Sequence, residues 1–271
     1  MACKSILCAY SGEAARGSGL RHAIKIAKHH DAHLTGVLRH GRALIEQKFG
    51  FQVPQSLLST LMEIDNKQIK EVEERFTNMV SEAGLAGSFE FVDLITEKDG
   101  SLSEFARGFD LVVTGVHSNL ANEAHMSAYP DMIALRSGRP VLVVPDGYTA
   151  DGLAERAVVA WDGKRSAARA IGDAMDILSE KVSVTLLTVG DELRGTERMV
   201  RNMERHGITV EAKSVKRQGS IANTLISHAK EADARLIVMG AYEHSKFSHD
   251  LIGGVTTDVI RDTPVPVFMA H

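Results

Sequence analysis

The residues best suited to chemistry lie in the second half of the chain. Asp162 follows a short apolar run, RAVVA, at 156–160. A carboxylate there can accept a hydrogen bond from an exocyclic amine such as that of adenine. A loop Asp also caps helices, and this residue alone leaves both readings open. A second cluster runs Met239-Gly240-Ala241-Tyr242-Glu243-His244-Ser245, and Gly253-Gly254-Val255-Thr256 then opens a helical pattern. Glycine permits close backbone approach, and backbone N–H groups at a helix N-terminus attract phosphate. Thr256 adds a hydroxyl donor or merely starts the helix. Taken singly, most glycine pairs before helices are only turns.

Other reactive residue types form no comparable pattern. The chain has 12 histidines. His29, His30 and His33 straddle a helix end and a strand start, where polar or cationic side chains are ordinary, so no metal site is read there. His244 and His249 sit in the loop beside the expected phosphates, as phosphate contacts or as surface residues. There is no HExxH or CxxC spacing and no GxSxG elbow. No catalytic residue and no metal ligand is therefore assigned. Cys3 and Cys8, the only cysteines, read as buried structural thiols in a reducing compartment. Trp161, the only tryptophan, reads as packing beneath its loop.

The elements that must position these residues occur twice. KSILCAYSG followed by HAIKIAKHH is matched by RAVVAWDGKRS followed by AARAIGDAMDIL. FDLVVTGVH is matched by ARLIVMGAY, and LRSGRPVLVVP by VIRDTPVPVFMAH, all in the same order. The 271 residues suit two domains of roughly 130 residues each. Lys4 to Gly115 spans 111 positions and Arg156 to Gly240 spans 84, so the first copy carries 27 more. The polar, glycine-containing stretch 146–155 reads as the linker, with domains at 1–147 and 154–271. In the second copy, strands are expected at 156–160, 181–189, 209–214, 236–240 and 266–270. Helices are expected at 166–178, 193–206, 220–231 and 255–262. In the first, a long helix over 57–83 carries Ile64, Val72, Phe76 and Val80 near one stripe. Alternating strands and helices with continuous apolar strand runs imply an α/β fold with a parallel sheet. Ligands of such sheets bind beyond the carboxyl ends of the strands.

Net charge is −4, which gives no basic excess for nucleic acid. No apolar run is long enough to span a membrane, and the N-terminus lacks the pattern of a secretory signal. The expected location is the cytoplasm.

With these motifs in place, nearly the whole chain resembles the universal stress protein family, as a tandem two-domain member. The resemblance implies two five-stranded parallel α/β sandwiches, Rossmann-like and similar to the adenine nucleotide alpha hydrolases. Nucleotide-binding members carry an Asp after strand one and a glycine-spaced motif after strand four, which Asp162, Gly240 and Gly253 match. The resemblance then implies ATP or a related adenine nucleotide, with or without Mg2+. Asp162 and the backbone near Val189 would meet adenine. Met239 and Gly240 would border ribose and phosphates, and Gly253, Gly254, Val255 and Thr256 would cradle the phosphates. Glu243 stands at the motif's second glycine, and Gly254 replaces its Ser/Thr.

The first copy departs further. Ser11 stands near the Asp position, and Ala128, Tyr129 and Pro130 replace Gly253, Gly254 and Val255. Proline has no N–H to donate. This copy is expected not to bind nucleotide in that manner and to contribute packing surface. The function implied is a stress-response sensor or regulator rather than a dedicated enzyme, with weak ATP hydrolysis as an accessory activity. The alternative is an interaction or dimerisation protein with both sites degenerate, whose last strand, PVPVFMAH, pairs at a sheet edge with its equivalent or whose two copies pair with each other. A response-regulator or flavodoxin-like module ranks last, because the loop WDGKRS lacks clustered acids and a hydroxyl-rich phosphate loop.

Overall fold

A computed structural model of the chain describes residues 3–11, 17–40, 54–85, 87–116, 128–241 and 254–271. Runs of β-branched and aliphatic residues such as Val141–Val144 (VLVV) suit strands covered on both faces. The first five strands are β1 (Ser5–Ala9), β2 (His33–His40), β3 (Phe89–Ile95), β4 (Leu111–Gly115) and β5 (Val141–Val144). The second five are β6 (Arg156–Ala160), β7 (Val184–Val189), β8 (Val210–Val215), β9 (Ala234–Gly240) and β10 (Val267–Ala270). Among the described residues, the helices of eight or more residues are α1 (Ser18–His30), α2 (Gln55–Glu82), α3 (Pro130–Ser137), α4 (Arg165–Ser179), α5 (Thr196–Arg205), α6 (Ile221–Glu231) and α7 (Val255–Asp262).

The strands form one ten-stranded sheet in the order β3-β2-β1-β4-β5-β10-β9-β6-β7-β8. Every pairing within the first five or the last five strands is parallel. The junction is antiparallel, with Phe268 opposite Leu142. The order is therefore a palindrome about β5 and β10, and the carboxyl ends of the two halves face opposite ends of the sheet. This corrects one expectation. The last strand is not a sheet edge awaiting a second chain, because β5 covers its outer side and all four of its residues are buried. The two copies pair with each other instead.

The long helix differs from its expected stripe. Val72, Phe76 and Val80 are fully buried, but Ile64 is 56% exposed. A 28-residue helix is about 42 Å long and outruns the eight-residue strand beside it, so only its C-terminal part packs. Phe76 reaches the sheet where Gly36 leaves room. A Cβ on Gly36 would lie 2.4 Å from the Phe76 ring.

Helices α1 and α4 meet over the seam between the halves. The linker crosses it and is tied from both sides. Lys25 of α1 donates to the Ala150 carbonyl, and Lys181 just after α4 donates to that of Leu153. Tyr148 is buried with its ring 5.8 Å from that of His22. Burial, reinforced by Lys181 and Lys25, pushes the His22 imidazole down to about 4, so it is neutral at pH 7. No helix among the described residues is long and apolar enough to cross a membrane.

Candidate functional site

The register of the second half sets its ligand-facing edge. Ala160 is level with Leu187, so two residues further on Asp162 is level with Val189. On the other side of β6, Val159 is level with Val238, which brings Met239 and Gly240 to the same edge. A helix linking two parallel strands starts at the carboxyl end of the first, so the N-terminus of α7 belongs to this edge too.

Each side chain is set by its neighbours. The Trp161 N–H donates to the Leu187 carbonyl at 2.8 Å. Its buried ring donates from Nε1 to Thr196 Oγ1 at 3.2 Å, and Thr196 in turn donates to the Leu193 carbonyl. Trp161 thus packs beneath its loop, as its sequence context suggests, and fixes the loop after β7 against the loop after β6. Asp162 is exposed, and its Oδ1 accepts from the Lys164 backbone N–H at 3.0 Å. That bond shapes the turn into α4. Val189 is half-buried and Met239 is buried. Gly240 is required by space. A Cβ there would lie 2.6 Å from the Ala167 nitrogen and 2.6 Å from Ser166 Oγ. The first turn of α4 is seated on the end of β9.

Gly254 precedes α7 with φ 140 and ψ 171, a backbone shape that residues with a Cβ rarely take. Gly254, at the N-cap position, has no side chain with which to cap the helix. Val255 is half-buried, and Thr256 is buried with its own partner. Gly253, Glu243, His244 and His249 lie outside the described residues. Asp162, Val189, Met239, Gly240, Gly254, Val255 and Thr256 therefore share one edge of the second half.

The first half keeps the same geometry with other residues. Ala9 is level with Val37, so Ser11 is level with Arg39. A cavity of about 520 Å³, open solvent included, lies here, lined among others by Tyr10, Ser11, Arg39, Thr114, Ala128 and Asp146. Residues expected only to pack thus border open space. Arg39 and Asp146 are site residues that sequence reasoning missed. The local signal for Arg39 is its place directly after Leu38, near the carboxyl end of β2. Pro130 is the first residue of α3, so this helix start offers fewer N–H donors.

The thiols are shielded. Burial pushes Cys8 up to about 12, and burial with Asp110 and Asp176 does the same to Cys3. Neither suits redox chemistry. The histidines at the end of α1 separate. His33 turns to Glu90, with His33 Nε2 3.9 Å from Oε1. His29 and His30 meet Glu180 of the second half, a neighbour that no local pattern reveals.

Residues 191–271 match the family described as the universal stress protein family. A universal stress protein of Synechocystis sp. is 25% identical over 177 residues, covering 61% of this chain. The match spans 59% of that relative's length. The fold of the whole chain recurs in a universal stress protein from Archaeoglobus fulgidus, with TM-score 0.72 and 16% identity over 98% of this chain and 96% of that one. A protein from Pseudomonas aeruginosa described as a universal stress protein has TM-score 0.56 and 18% identity over 99% and 93%.

Proposed function

With the chain placed in the universal stress protein family by its second half and by its curated relative, we propose that residues 154–271 form a domain that binds an adenine nucleotide, ATP or AMP. The companion domain, 1–147, carries no such ligand. Asp162 and the Val189 backbone receive adenine. Met239 and Gly240 border the ribose, and the start of α7 from Gly253 to Thr256 receives the phosphates, with or without Mg2+. Binding passes a signal to a partner, so the protein acts as a sensor or regulator of stress. Hydrolysis is not required by this reading.

One observation carries it. The register brings Asp162, Val189 and Gly240 to one edge, and α7 opens there on a glycine with φ 140. In the first half, Ser11, Tyr129 and Pro130 stand in the corresponding places.

Calorimetric titration of nucleotide-stripped protein with ATP, with and without Mg2+, tests this. One site per chain is expected, lost in Asp162→Ala and in Gly253→Val while both variants keep the wild-type melting profile. Two equal sites would refute the reading of the first half. No heat at several temperatures, with no thermal stabilisation at millimolar ATP, would favour the second reading, an interaction protein. The Asp162 carboxylate's local bond to the Lys164 N–H is the observation on that side.

A further inference from the structure

We propose that His29, His30 and Glu180 bind a divalent transition-metal ion of the zinc class across the seam between the two halves. Each residue offers one ligand atom, and the three atoms lie within 4.8 Å of one another. His29 Nε2 is 3.1 Å from Glu180 Oε2, and the two imidazole rings are 4.9 Å apart, edge to face. Two imidazoles and a carboxylate suit zinc-class ions, whereas calcium and magnesium prefer sets of oxygen ligands. Three protein ligands leave a coordination position for water or for a further group.

The surroundings favour a cation and leave room for it. His30 is the last residue of α1, and Glu180 caps the end of α4. Two helix C-termini, each with a partial negative charge, therefore converge here. His30 and Glu180 also line a cavity of about 450 Å³, open solvent included, which Glu155 borders. Two ammonium groups and the Arg235 guanidinium stand nearby, and all three are engaged elsewhere, Arg235 with Asp233 at 3.2 Å. Lys4 Nζ donates to the carbonyls of His30 and Asp31, and Lys181 to the Leu153 carbonyl. The histidines come from the first half and the carboxylate from the second, so the ion fastens the halves together. This site is separate from the nucleotide edge and does not depend on it.

The test is a titration of metal-free, tag-free full-length chain with Zn2+ in a non-chelating buffer, repeated with Co2+ while the visible spectrum is followed. Expected are one ion per chain, a cobalt spectrum of low coordination number, and a higher melting temperature with Zn2+. In His30→Ala and Glu180→Gln, affinity falls by at least about tenfold, the loss that even outer-shell partners produce. The melting shift is then lost, while His33→Ala behaves as wild type. Each variant's metal-free melting is compared first, and His29→Gln replaces any variant that melts early. Absence of a one-to-one site, or zinc binding unchanged in Glu180→Gln and in the histidine variant, overturns the proposal.

Discussion

The two halves share strand order, parallel pairing and a helix seated on the end of the fourth strand, yet their carboxyl edges differ in charge and in space. In the second half, the level that carries a carboxylate and a valine, Asp162 and Val189, corresponds to a hydroxyl and a guanidinium in the first, Ser11 and Arg39. The close contact between helix and strand is also made differently. In the first half the helix supplies a glycine, Gly19, whose Cβ would lie 3.0 Å from the Gly115 nitrogen, while a Cβ on Gly115 would meet nothing within 4 Å among the described residues. In the second half the helix carries Ser166 and the strand supplies the glycine, Gly240. The core strands set the architecture, and the one or two residues beyond each strand set the chemistry. A duplicated fold can thus keep its packing while its two edges diverge.

The largest expected effect sharpens this comparison at the helices. The fifth residue of α1 is His22, held neutral at the seam; the fifth of α4 is Arg169, exposed and bonded to Asp173 at 2.7 Å. Between pH 6.5 and 4 the unfolded chain protonates His22 and the folded chain does not. Stability is therefore complete above about pH 6.5 and falls as pH drops toward 4, by about 3 kcal/mol for this residue. His22→Gln flattens that slope in urea unfolding measured across the window, whereas Arg169→Gln leaves it in place. His228, held below its ordinary value by burial and by Lys213, contributes a slope of the same sign in both variants.

Next comes Gly240→Ala. The added methyl meets the α4 backbone as well as the Ser166 hydroxyl, so a loss of about 1–3 kcal/mol is expected from denaturant midpoints. Adding Ser166→Gly, which restores the first half's arrangement, recovers part of it. The smallest effect belongs to Gly115→Ala, whose Cβ would meet nothing within 4 Å among the described residues and which should stay within about 0.5 kcal/mol of wild type. Equal losses at 115 and 240 would break the comparison.

Much of the architecture was legible locally. The bounds expected for β6 and α7 are those observed, because a short apolar run and an amphipathic stretch opened by glycines are local signals. The strand expected from 181 begins at 184, since Lys181 leaves the sheet to hold the linker. What the sequence hides is contact between the halves. That Glu180 meets His29, that β10 is central rather than an edge, and that Ile64 overshoots the sheet all depend on which elements lie side by side. Periodicity says only which face of an element is apolar. At the candidate site, the positions of Asp162, Val189 and Gly240 follow from strand ends, whereas that Arg39 stands beside Ser11 depends on the register of β1 against β2.

The β5–β10 pairing also carries a consequence for synthesis. When the first half leaves the ribosome, the outer side of VLVV in β5 has no strand to pair with until β10 emerges, more than a hundred residues later. For that interval the nascent chain presents an apolar strand edge of the kind that recruits other chains. The closing strand must then enter between β9 and β5 and pair with both. Slow translation of the second half therefore prolongs the period in which two nascent copies can trade strands.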